Sequence, residues 1–214
     1  MGTLYNPSNA KIQLANLDPI RASLQTTLNE LNSKKPIYKN AVSEREDAMA
    51  SLGKLVTKVL NYAKSIDISA ADKENIANQA KKIRGDQKAK KTNPETTEAI
   101  GISTSQMSYD SRIANLDVFI KQLGSHANYA PNESEIQVAS LETLHGNLAT
   151  LSTTVNTAGN ALITARINRN NVLYNNDNNV IQLMRDVKSY LKSLGDSAKP
   201  YHSAMVKLKF IEKV

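Results

Sequence analysis

The chain has 214 residues, 40% hydrophobic and 22% charged, which is enough apolar content for a packed core and too much for wholesale disorder. It has no cysteine, which excludes disulfides, thiolate nucleophiles and Cys-ligated zinc or iron–sulfur sites. Its net charge of +7 permits contact with nucleic acid or anionic surfaces, and no run reaches the roughly 18 apolar residues of a membrane span.

In chain order, Met1-Gly2-Thr3-Leu4-Tyr5-Asn6 lacks the basic and apolar pattern of a signal peptide, so a cytoplasmic location is the expectation. Pro7-Ser8-Asn9 reads as a helix start. From there Leu17, Ile20, Leu24, Thr27 and Leu31, then Tyr38, Ala41, Arg45, Ala48, Leu52, Leu55 and Val59, advance in steps of three and four. Pro36 predicts a kink or interruption near Lys34, because an interior proline loses a hydrogen bond and clashes with the preceding turn. Gly53 predicts a break near Ser51.

Ser69-Ala70-Ala71-Asp72 caps a helix to about Ile83, and the Lys-, Thr- and Pro-rich segment 84–104 reads as an exposed loop. Ser108 or Asp110 opens another helix, with Ile113, Leu116, Ile120 and Leu123 on one face and Gly124 as its stop. Pro131-Asn132 starts a long helix to about Leu173, roughly 60 Å at 1.5 Å per residue. A turn over 174–179 follows, then a shorter helix from Val180 to Gly195. Val206, Leu208 and Phe210 alternate with Lys207 and Lys209 as a strand would, and Ile100 and Ile102 offer a partner for a minor two-stranded ribbon.

Slid over itself by 124 positions, the chain aligns from Tyr5 against Tyr129 to Ile66 against Tyr190 without a gap. Among the identities, Tyr5, Pro7, Ile12, Gln13, Leu17, Leu24, Ala41 and Arg45 recur as Tyr129, Pro131, Ile136, Gln137, Leu141, Leu148, Ala165 and Arg169. Fourteen identities stand against about four expected by chance at average composition, which reads as duplication of a structural unit. The expectation is an all-α, elongated antiparallel bundle in a single domain, 1–214, with repeat 1 at 5–66, connecting helices and basic loop at 67–128, repeat 2 at 129–190 and a C-terminal segment at 191–214.

Few residues carry chemistry. Lys81, Lys82, Arg84, Lys88, Lys90 and Lys91 form the densest basic run and are the candidate phosphate-contacting residues for nucleic acid, although no aromatics are interleaved for base stacking. The competing reading is a solvated loop whose lysines complement a helix C-terminus. Arg45 and Arg169 fall in the apolar stripe at matched positions, which suggests either a symmetric anion site or guanidiniums that snorkel out or pair with Glu46 or Asp47. His126, His145 and His202 lack metal-site spacing, and no Gly-rich phosphate loop or serine elbow is present. Seven asparagines between Asn168 and Asn179 offer groups for a polar ligand, but read first as a polar helix end and turn. No catalytic residue, metal or cofactor is therefore expected.

Tyr5-Asn6-Pro7 with Ile12-Gln13-Leu14-Ala15, together with Leu173-Tyr174-Asn175, the run Val187 to Ser193 and Leu208-Lys209-Phe210, resembles a group of uncharacterised helical proteins from Bacteroidetes-type bacteria. That resemblance implies a helical fold and no activity. The functional expectation is a non-enzymatic structural or interaction bundle with a protein partner or a second copy, and the alternative is a basic protein on a nucleic-acid backbone.

Overall fold

A computed structural model describes residues 4–85 and 108–208. They form seven α-helices and no strand: α1 (Leu14–Ala50), α2 (Leu52–Ser65), α3 (Ala70–Arg84), α4 (Tyr109–Gly124), α5 (Val138–Asn170), α6 (Val180–Ser193) and α7 (Lys199–Lys207). The protein is an all-α bundle.

Local chemistry sets the boundaries. Ser69 and Ser108 cap α3 and α4 by accepting from the backbone N–H of Asp72 and Ser111, and Gly85 ends α3 at φ 79°, a left-handed position that glycine adopts without strain. The break at Ser51 falls where Gly53 placed it. Both long helices start later than Pro7 and Pro131 suggested. Each is preceded by a 3-10 turn, Ala10–Ile12 or Ser134–Ile136, and then by an extended glutamine, Gln13 or Gln137, that interrupts the helical path. Side chains lock these turns. Tyr5 donates to the Ile12 carbonyl at 2.6 Å and Tyr129 to the Ile136 carbonyl at 2.7 Å, while Gln13 and Gln137 donate to the carbonyls of Pro7 and Pro131.

Three other expectations are corrected. The interruption expected near Lys34 does not occur: α1 continues through Pro36, whose ring sits on an exposed face. No ribbon forms among the described residues: Val206 belongs to α7, which Pro200 opens and whose Met205 packs onto α6, while Phe210, Ile100 and Ile102 lie outside the described residues. The gapless alignment also slips beyond the long helices. The turns correspond at an offset of 124, but α2 and α6 correspond at 128, so Leu52 rather than Val56 is the counterpart of Val180. Asn176-Asp177-Asn178-Asn179 fills the difference after a wide π turn at Asn171–Asn175, and the Asn179 side chain caps α6.

The chain divides into two compact units, Met1–Tyr38 with Ala158–Val214 (unit 1) and Lys39–Thr157 (unit 2). These cut across the two aligned segments, 5–66 and 129–190. In unit 1, Tyr5 of the first copy meets Tyr190 of the second edge to face, at 5.3 Å and 87°. In unit 2, Tyr129 of the second copy meets Tyr62 of the first, at 5.3 Å and 90°. Each unit thus joins the entry turn of one copy to the second helix of the other.

Within unit 1, Leu31 packs against Leu162 and Ala165, and Tyr38 lies beside Gly159, so the two long helices run antiparallel there. The core of unit 2 draws Leu52, Val56 and Val59 from α2, Ile76 and Ile83 from α3, Leu116, Phe119 and Leu123 from α4, and Leu141 and Leu148 from α5. The core of unit 1 is smaller, built on Ile12, Leu183, Val187, Leu191 and Ala198.

Candidate functional site

The basic run divides at the end of α3. Lys81 donates to Asn78, and Arg84 turns back onto α2, where it donates to Thr57 Oγ1 at 3.1 Å. Lys82 is half-buried in the same last turn, where positive charge complements the helix dipole. Arg112 of α4 donates to the Ile83 carbonyl at 2.8 Å, satisfying another acceptor at that helix end. Lys88, Lys90 and Lys91 lie outside the described residues. Of the six candidate phosphate contacts, the described portion leaves Lys81 most open to solvent, with Arg84 occupied by packing.

The two matched arginines meet different surroundings. Arg45 in unit 2 stacks on the Tyr109 ring at 4.2 Å, which supplies a cation–π contact in place of the Glu46 or Asp47 pairing. Next to Tyr109, the Asp110 carboxylate accepts from the buried Ser152 hydroxyl. Arg169 in unit 1 donates from Nε and Nη2 to Asn170 Oδ1, at 3.1 and 2.7 Å. Among the described residues no three His, Cys, Asp or Glu side chains are grouped to hold a metal ion, and no helix is long and apolar enough to cross a membrane.

An apolar concavity lies in unit 1. A cleft of about 390 Å³ opens between Leu14 and Leu17 of α1, Met184, Val187 and Leu191 of α6, and Tyr201 and Met205 of α7, with Tyr5 at its edge. A second cleft of about 340 Å³ shares Leu14, Leu17 and Met184 and extends past Ile20 and Leu24 toward Val180 and Leu183. Together they form one long apolar groove between α1 and α6. The Tyr5 hydroxyl is committed to the Ile12 carbonyl, so it offers the groove no free donor. Burial, and then the neighbouring Tyr190, raise its pKa above the ordinary tyrosine value.

Unit 2 shows why this groove is open. The counterparts of Leu14, Leu17 and Leu24 are Val138, Leu141 and Leu148, and those of Val180 and Met184 are Leu52 and Val56. Leu141, Leu148, Leu52 and Val56 are at most 1% exposed, and Gly124 at the end of α4 adjoins Val138. Leu14, by contrast, is 62% exposed, while Leu17, Leu24, Val180 and Met184 are only half-buried. The difference is the pair α3 and α4: α3 lies on α2, α4 lies on α3, and together they close the unit 2 core. Among the described residues, unit 1 has α7 following α6 and no fourth helix after it.

Sequence reasoning missed the groove because helical periodicity marks which face is apolar and does not show what covers it. The available signal was an asymmetry: the Ile113–Leu123 amphipathic segment follows the first copy and no described segment matches it after the second. No family model, curated protein or solved structure matches the chain.

Proposed function

We propose that this chain is a non-enzymatic helical interaction protein, built by duplication of a long-helix unit, which presents the unit 1 groove to a protein partner. The observation that carries the reading is the groove itself. Its walls are hydrocarbon and ring faces, with no carboxylate, imidazole or ammonium in the larger cleft and only Asp18 and Arg21 at the edge of the smaller one. Such a surface binds by excluding water from apolar area, at about 25 cal/mol per Å² covered, and supplies nothing to make or break a bond. The recurrent Tyr–carbonyl and Tyr–Tyr contacts support the duplication.

The test compares wild-type protein with Leu14→Asp as bait for native partners. Leu14 is mostly exposed, so the variant keeps its fold. A partner retained by wild type and lost with Leu14→Asp is the expected result. Turnover of a small molecule by the purified protein, or tight binding of a random DNA duplex at low salt, would overturn the reading.

A further inference from the structure

We infer that the unit 1 groove receives an acidic amphipathic helix of about four turns from a partner protein, seated as α4 is seated in unit 2. The inference rests on the interaction reading above and gives the partner's chemistry. Its first support is the internal template. A Tyr-locked turn, a long helix and a second helix occur in both units, and in unit 2 the apolar face they leave is covered by α3 together with the 16-residue α4, which contributes Ile113, Leu116, Ile120 and Leu123. In unit 1 the corresponding face carries Leu14, Leu17, Val180 and Met184, and no described residue closes it. A ligand helix with apolar residues at the spacing i, i+3, i+7 and i+10 reproduces the α4 stripe. Met184 and Met205 supply walls that adapt to its side chains.

Charge supplies the second, independent support. The described residues of unit 1 hold eleven Lys and Arg against five Asp and Glu, whereas those of unit 2 hold eleven of each. The excess basic charge of the chain therefore sits on the unit with the open groove. Lys192, Lys199 and Lys207 are exposed on the helices that form its wall. A helix with acidic flanks gains from this field, whereas a second copy brings the same positive unit against it. A nucleic-acid backbone matches the charge but not the hydrocarbon floor.

The experiment uses the full chain and a fluorescent peptide of residues 108–125 carrying Arg112→Glu and Lys121→Glu, read by anisotropy. Wild-type protein is expected to bind it with a dissociation constant on the order of 10 µM. Leu14→Asp and, separately, Met184→Asp should weaken binding at least about ten-fold, and raising salt from about 50 to 300 mM should weaken it several-fold. Thr143→Asp, on an exposed face of α5 in unit 2, should leave it unchanged. No binding at about 100 µM peptide by protein with an intact circular-dichroism melt overturns the inference. Binding insensitive to Leu14→Asp does so too, since the peptide would then sit elsewhere. Sedimentation showing a dimer that Leu14→Asp dissolves would give the groove to a second copy and also overturn it. If the peptide fails while a native partner is still lost with Leu14→Asp, the interaction reading survives without the helix. If both fail, both readings fall.

Discussion

Tyr129 shows how one side chain ties local to tertiary structure. Its hydroxyl closes the turn before α5 through the Ile136 carbonyl, and its ring meets Tyr62 of α2. Burial, and then the neighbouring Tyr62, hold its pKa far above the ordinary value near 10. In the unfolded chain this hydroxyl ionises near pH 10, whereas in the fold it keeps its proton, so the folded state binds more protons above that pH and stability falls as pH rises. Tyr129→Phe should cost about 1 kcal/mol at neutral pH by urea unfolding and should shrink the loss of melting temperature between pH 9 and 11. An unchanged alkaline loss would remove Tyr129 from the account. At Ser152, removing the hydroxyl takes a donor from Asp110, whose exposed carboxylate is then met by water, so Ser152→Ala should cost only about 0.5–1.5 kcal/mol in the same assay.

At the scale of the element, helix ends follow local rules and helix interiors are governed by packing. Ser108 and Ser69 do what isolated serine caps do, and replacing either with alanine should lower stability by about 1 kcal/mol. Pro36 is the contrary case. Propensity alone stops α1 there, yet the helix continues because Leu31 before it and Ala41 after it are both buried, and ending the helix would expose the stripe they belong to. The proline still costs a hydrogen bond. Pro36→Ala should therefore stabilise the protein by about 1–3 kcal/mol, read as a rise in melting temperature, and a fall would show that the ring makes a contact the fold needs.

At the scale of the molecule, each compact unit takes parts from both aligned segments, as the link from the Asn6 amide to the Tyr190 hydroxyl illustrates across 184 positions. Fragments 1–124 and 125–214, expressed apart, should each lose most of their helicity, and mixing them should restore it by circular dichroism. A fragment that melts cooperatively alone as a monomer, at the temperature of the full chain, would refute the exchange. What the sequence determined by itself was the helical period, the capping serines, the break at Ser51 and the recurrent Tyr, Pro, Ile and Gln of the two turns, because these depend on a residue and its neighbours along the chain. Of the candidate sites, it located the basic run at the end of α3 and the matched arginines, but could not tell that Arg84 would turn to Thr57 or Arg45 to Tyr109. Only the tertiary structure decided which copy pairs with which and which apolar face remains uncovered. An amphipathic stripe records that a helix has a side to bury, and the identity of what buries it is a property of the whole packed chain.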